Sequence, residues 1–529
     1  MMLHTANSKI RAQILLVAIP MLAVTLITPL GFDNAIYQSM AIDLLKFGKI
    51  PYIGSYDQNF LGVLVIHLSA MALFGQSVLA FRAFDALLQL GFVFVLYRFE
   101  RNWLTHRTAM IGIVLYCSWY LLGSHRIEGE RDVYIGMALV CAMQLLLGAK
   151  SAKLSNWRFC LSALALGFAI LTKPTSLIFP LLIVWMVPRN EYGAWWKQRV
   201  VYLGMTLIPI GAFLVTYALI PGGLRAFYLV AIQFNIDLYG TIKNNFWDSV
   251  RTQFEVFPIY GLTIVALVAS AYQILRPRIL DSRINLPHVS RRDRNVIGGL
   301  ILATLAVFVL QGKYYGYQLA PATILCVPIA AFGVEYILLF VPERARSMTA
   351  VIWCIAIAVA SIRWLSVLTF FSLINDPRGA FRAYYCRPGT NPVYGEPAIY
   401  ATMDYLNRPE NLGATIEIAA LDAHLRAILG RQCIGKYALM TTLGLRRNPD
   451  VIDSNSYTEY QRRWRSEYID DLRVFRPQFI VVARNFGCLY LSDVYADVLH
   501  EMEGYDELLS SNYREDTAFG GYHIYRLLK

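Results

Sequence analysis

Charge is scarce in this chain: 16% of its 529 residues are charged and 57% are hydrophobic. The apolar residues come in long blocks instead of short periodic stripes, which excludes a single water-soluble core. None of the eight cysteines forms a CxxC pair, and Cys117, Cys141, Cys160, Cys326 and Cys354 fall inside apolar runs. That pattern excludes a zinc ribbon or a thioredoxin-like redox motif and reads these five as small core residues. No internal repeat and no pair of broken helices with polar midplane residues is evident, so a secondary transporter is disfavoured. The first apolar run leads into Gly-Phe-Asp-Asn without a small-residue cleavage pattern. It is therefore expected to stay in place as a helix.

What is present is a series of apolar blocks. A membrane-crossing helix needs roughly 20 apolar residues. Candidate spans lie near 13–32, 78–97, 108–124, 133–149, 159–172, 175–188, 200–220, 255–275, 296–311, 318–341 and 349–371. A polytopic α-helical membrane protein with about eleven crossings is the expectation. A cytoplasmic N-terminus places Lys9/Arg11, Arg98/Arg101/Arg107, Lys150/Lys153/Arg158, Arg189/Lys197/Arg199, the Arg276 to Arg294 run and Arg344/Arg346 on one side. That is the distribution the positive-inside rule requires. The net charge of +12 is thus topological, and nucleic acid is not an expected partner.

Residues 60–74, "FLGVLVIHLSAMALF", are short for a crossing and contain His67. They are expected to form a helix lying on the interface, because a crossing there would reverse every later loop. The aromatic-rich segment 221–254 would lie on the outer side, as a lipid entry path or as a loop packed on the helices. From about residue 372 the composition turns polar. Residues 372–529 are expected to form an extracytoplasmic α/β domain with strands at 414–421 and 478–484, a closing strand in "GGYHIYRLL", and helices in "AIYATMDYLN" and "YTEYQRRWRSEYIDDLRVF". No Gly-rich phosphate loop follows the first strand, which argues against a nucleotide site there. An extracytoplasmic tail would permit a Cys386–Cys433 disulfide, although no spacing rule requires it.

Under this topology Asp33, Asp57, Glu128, Glu130, Arg131, Asp132, Lys173 and Lys313 collect at helix ends on the outer face. Ionisable residues at membrane depth usually serve a function, although solvated loop acids and snorkelling lysines are the simpler alternative for each residue alone. Glu128 and Glu130 flank Asp132, and the three offer oxygen ligands for a divalent cation.

The order of these pieces resembles a family. Asp33 with Tyr37 one turn later, then "GKIPY", Asp57 before an apolar helix and "LFGQSVLAFR" are similar to the opening of the GT-C membrane glycosyltransferases. More narrowly, the pattern looks like that of the protein mannosyltransferase and lipid A aminoarabinose transferase group. "ERDVYIGMAL" with Asp132, "AILTKPT" with Lys173 and "QGKYYGYQLAP" with Lys313 and Tyr317 continue the match over most of residues 13–341.

The resemblance implies a GT-C transmembrane domain over 1–371, with a first outer loop at 33–77, and a soluble domain over 372–529. It implies a polyprenyl monophosphate sugar donor and a lipid or cell-envelope glycan acceptor, met on the outer face of a bacterial cytoplasmic membrane. Asp33 would be the general base. Asp57 and Asp132 would position the acceptor or a cation, and Lys173, Lys313 and Tyr317 would lie near the donor phosphate. A single displacement by a base-activated hydroxyl would invert the anomeric centre.

Two departures stand out. Asp57-Gln58-Asn59 lacks the lysine that the aminoarabinose transferases carry after Glu, a role Arg126 or Arg131 would take over. Asp33-Asn34 replaces the Asp-Glu pair of the protein mannosyltransferases. The sugar stays open among aminoarabinose, galacturonic acid, mannose and arabinofuranose. Rival readings are an O-antigen-type ligase or polymerase with a diphosphate donor, for which His125-Arg126 is the outer-side candidate pair, and a protein O-glycosyltransferase. A non-catalytic scaffold with the tail as a binding module is a further alternative.

Overall fold

The computed structural model describes residues 2–123, 126–147, 156–187, 195–247, 257–275, 290–338, 340–361, 397–421, 423–437, 439–446, 456–484 and 493–528. His125, Cys386 and most of the Arg276 to Arg294 run lie outside them. The chain divides into two compact units. The first comprises Met1–Thr28, Arg82–Phe213 and Lys243–Phe370; the second comprises Pro29–Phe81, Leu214–Ile242 and Phe371–Lys529. The first outer loop and part of the aromatic-rich segment are thus grouped with the tail.

The described residues of the eleven expected spans are mainly helical, from Met2–Ala23 through Val78–Glu100, His106–Gly123, Arg131–Leu147 and Asn156–Thr172 to Glu343–Ser361, with 175–188 split into short helical pieces; residues 362–371 of the last span lie outside the described residues. Among the described residues, Ser8–Leu26, Val78–Glu100, Arg291–Gln311 and Gly316–Leu338 are long and apolar enough to cross a membrane, and Trp196–Thr206 with Ile208–Leu219 makes a fifth if the pair, bent by 41°, is one span. The bend sits at Pro209, which supplies no backbone N–H to the preceding turn. The bent pair closes on Gly167, where a Cβ would lie 2.6 Å from the Thr206 carbonyl oxygen.

Leu16, Leu302 and Leu310 on these helices are 76%, 68% and 78% exposed. Apolar exposure on that scale suits lipid as the surrounding solvent. Inside, Ile113, Tyr116, Leu139, Leu325 and Ala330 have no exposure. Helices pack closely where small residues permit it. A Cβ on Gly333 would stand 2.3 Å from the backbone oxygen of Leu262, and one on Gly136 would stand 2.6 Å from Ile324 Cδ1.

In the second unit four strands, β1 (Ile416–Ala419), β2 (Phe479–Ala483), β3 (Tyr513–Phe519) and β4 (Tyr522–Leu527), form one sheet in the order β1-β2-β4-β3. β1 and β2 run parallel and the other neighbours antiparallel. β1 and β2 are buried along their whole length, which is why they read as continuous apolar runs. The helix Glu459–Phe475 starts from a capping box made by Thr458 and Gln461. Helix Gly62–Phe74 holds His67 fully buried. Its ring stacks on Phe81 at 4.1 Å and its Nδ1 lies 3.0 Å from Gln38 Oε1. Cys433 is a free, buried thiol that burial pushes up to about 11.

Gly333→Ala should destabilise the first unit by about 1–3 kcal/mol, because the atom it meets is backbone and cannot swing away. A lower Tm of the detergent-purified protein checks this, with Gly298→Ala, which meets nothing within 4 Å, as the neutral comparison.

Candidate active site

The first unit assembles its ionisable groups at helix ends. Helix Asn156–Thr172 stops because Lys173 precedes Pro174, which drives Lys173 into an extended conformation (φ −154°, ψ 117°). From there its Nζ donates to Asp132 Oδ1 at 2.8 Å. Asp132 sits in the first turn of helix Arg131–Leu147, where the helix dipole favours a carboxylate. The guanidinium of Arg131 lies 3.7 Å from its other oxygen. Asp132, Lys173, Ser176, Thr304 and Gln318 share one narrow crevice.

Lys313 follows Gly312, which ends helix Arg291–Gln311 in a left-handed conformation (φ 64°). Its side chain is buried, and Asn244 Nδ2 donates to its carbonyl at 2.7 Å. Burial, helped by the nearby Lys243, lowers the Lys313 ammonium to about 8. Lys243 in turn donates to the Gln311 carbonyl at 2.9 Å. Two cations held this way favour an anion as partner. Tyr317, half-buried in the turn Gly316–Leu319, stacks with Tyr315 at 5.6 Å.

Glu128 and Glu130 are buried. Glu128 is engaged by Arg82, whose Nη1 donates to the Glu128 carbonyl at 3.0 Å and lies 3.9 Å from its carboxylate. Arg126 is exposed, so of the two arginines suggested in place of the missing lysine only Arg131 sits beside Asp132. Among the described residues no three His, Cys, Asp or Glu side chains gather as metal ligands.

The sequence reading missed the base of this arrangement. Asp85, without exposure in helix Val78–Glu100, accepts from Tyr134 OH at 2.8 Å, Tyr120 OH at 2.5 Å and Gln89 Nε2 at 3.1 Å. Tyr120 OH accepts from Gly129 N at 2.7 Å. A buried carboxylate thereby anchors the loop that leads into Arg131 and Asp132. The signal was legible: Arg82, Asp85 and Gln89 recur at i, i+3 and i+7 inside an apolar run, on one helix face.

The second unit holds Asp33 and Asp57. Asp33 lies half-buried in the first turn of helix Phe32–Phe47. The backbone just before it is met by His424, whose Nε2 lies 3.2 Å from the Leu30 carbonyl. Asp57 is buried and binds Asn59, with Oδ2 accepting the Asn59 N–H at 3.0 Å. Its loop is fixed on several sides. Tyr56 N donates to the Lys436 carbonyl at 2.6 Å, the Tyr56 ring packs on Tyr437 and Trp464, and Asn235 donates to the Gln58 carbonyl at 2.7 Å.

Residues 57–217 match the family model described as dolichyl-phosphate-mannose-protein mannosyltransferase. The whole chain is similar in fold to ArnT from Cupriavidus metallidurans in the apo state, with a TM-score of 0.54, 15% identity and 98% of each chain covered. The same protein bound to undecaprenyl phosphate gives a TM-score of 0.53 at 14% identity, with 97% of each chain covered. A likeness of this extent at this identity shows a shared fold. The fold also resembles that of the oligosaccharyltransferase of Archaeoglobus fulgidus tethered to an acceptor peptide, with a TM-score of 0.50, 14% identity, and 98% of this chain and 74% of that one covered. No curated protein sequence matches the chain.

Two outcomes are expected. Asp85→Ala leaves the Tyr120 and Tyr134 hydroxyls without their acceptor, at about 1–3 kcal/mol each; thermal unfolding should show a large drop for it and a smaller one for Asp85→Asn. For Lys313, the folded-state value of about 8 lies below the ordinary 10.5. Folded protein therefore binds fewer protons than unfolded protein between these values, and stability gains from this residue as pH rises through that window. The cation itself is lost above about pH 8. Affinity for an anionic donor should fall there, and Lys313→Arg should move the fall to higher pH in a KM-against-pH profile.

Proposed function

We propose that the protein transfers a sugar from a polyprenyl monophosphate to a hydroxyl of a lipid or cell-envelope glycan, at the outer face of a bacterial cytoplasmic membrane. The observation that carries this reading is the cation set of the first unit, Lys173 on Asp132 and Lys313 beside Lys243, in a fold similar to one solved with undecaprenyl phosphate. A lipid-linked phosphate keeps its tail in hydrocarbon and its charge at the surface, and cations at the ends of apolar helices suit that division.

In the proposed step Asp33 takes the proton of the acceptor hydroxyl as its oxygen bonds to the anomeric carbon. The bond from that carbon to the phosphate oxygen breaks, and polyprenyl phosphate leaves with the electron pair, its charge offset by Lys313 and Lys173. One displacement inverts the anomeric centre. Tyr317 and Arg131 would help hold the donor, and Asp57 would act through the loop it orders. A second reading, with a protein hydroxyl as acceptor, is favoured by the mannosyltransferase family match over 57–217.

Membranes containing the Asp33→Asn protein at normal abundance, given a polyprenyl monophosphate sugar, should transfer about 10²–10⁴-fold more slowly than the parent. Undiminished transfer would remove Asp33 as base. Transfer only from diphosphate donors would favour the ligase reading.

A further inference from the structure

The second unit contains a cleft of about 710 Å³ between the end of helix Phe32–Phe47 and the segments around Leu412 and Arg431. Its volume is in the range of small-molecule sites. Lys46, Lys49 and Arg431 line it, and among the described residues no carboxylate does. The nearest acids lie behind the wall. Asp43 and Glu417 are buried and act on Lys49 and on the buried Arg426. With Asp471, which also interacts with Lys49, three acids face these two bases, and Lys46 and Arg431 are the further cations at the opening, so the four bases still outnumber the three acids.

The hydrogen bonds of the wall agree with this. Lys49 Nζ donates to the Cys433 carbonyl at 2.6 Å, and Arg431 donates to the carbonyls of Leu406, Asn411 and Ala414. Arg431 is held by neutral oxygens that leave its charge in place, whereas Lys49 also feels the buried acids behind it. Helix Phe32–Phe47 ends at the cleft in a Gly48 cap, with Gly48 N and Lys49 N donating to the Leu44 and Asp43 carbonyls, so the positions of Lys46 and Lys49 are set by backbone.

The rim is apolar. Leu412 and Phe475 line the cleft at 61% and 60% exposure, and the adjacent Val474 is 74% exposed. A small soluble anion has no use for such a rim. A molecule with a phosphate next to hydrocarbon uses both parts, and basic charge beside exposed apolar side chains is the usual recognition pattern for anionic lipid.

We propose that this cleft seats the headgroup of an anionic phospholipid, its phosphate beside Lys46 and Arg431 and its glycerol and upper acyl carbons against Leu412 and Phe475. The proposal stands apart from the catalytic reading.

The test uses the full chain with a photoreactive benzoylphenylalanine at Leu412, in nanodiscs of dioleoyl phosphatidylglycerol or dioleoyl phosphatidylcholine. Crosslinked lipid should appear with phosphatidylglycerol and fall about fivefold in Lys46→Glu, while Lys46→Arg should keep it. Phe475→Ser should lower the yield without changing the preference for charge. Equal crosslinking to both lipids, or an unchanged yield in Lys46→Glu, would overturn the proposal. Loss of the phosphatidylglycerol crosslink on adding millimolar inorganic phosphate at constant ionic strength would overturn it too, in favour of a soluble phosphate ligand. Lys46 is exposed at a helix end, so its variants should fold; an unchanged Tm verifies that.

Discussion

Asp132 and Lys173 meet at 2.8 Å where two apolar helices end, and the chemistry of the first unit depends on that kind of contact. A charge beside hydrocarbon is costly unless another charge or a set of dipoles accompanies it. The chain meets the requirement by local means. Pro174 frees the Lys173 backbone from the helix, a helix start favours the Asp132 carboxylate, and a left-handed Gly312 turns the chain so that Lys313 leaves the helix axis. Beneath them, Asp85 and two tyrosines convert an apolar helix face into a fixed base for the acidic loop. The rigidity of this layer comes from satisfied polar groups, since a partly satisfied one would cost more than an apolar core.

The second unit solves a related problem for a loop. Residues 49–59 hold no regular structure long enough to order themselves, and Tyr52 adopts a left-handed φ of 64°. Their order comes from elsewhere in the unit: the Lys436 carbonyl for Tyr56, Tyr437 and Trp464 for its ring, and Tyr217, which donates to the Pro51 carbonyl at 3.1 Å. Buried Asp43, Glu417 and Arg426, with half-buried Lys49, tie the preceding helix to the same place. Aromatic packing and paired charges thus replace the apolar core that so short a segment cannot provide.

Much of the architecture was legible in the sequence because hydrophobic run length reports helices directly. The described parts of the eleven apolar blocks are mainly helical, and the β1, β2 and closing-strand segments of the tail are strands. Membership of the units was not legible, since the pairing of Tyr56 with Lys436, or of Leu30 with His424, leaves no local periodicity. Asp85 was overlooked for a different reason. A single acid in an apolar run resembles a tolerated exception until its partners, Tyr120 and Tyr134 on two other helices, are known. Of the named site residues, Asp132 and Lys173 do meet, while Glu128 turns out to answer to Arg82, a residue that composition alone did not single out.

The hydrogen bond from Tyr56 N to the Lys436 carbonyl also sets an order of events in biosynthesis. Its acceptor Lys436, the ring partners Tyr437 and Trp464, and the charge partner Glu417 are all translated long after residues 49–59 have left the ribosome. Until then the early segment has helices around it but no scaffold of its own. A nascent or tail-clipped chain therefore has its membrane helices without an ordered loop around Asp57, and maturation of that loop waits for the last quarter of the polypeptide.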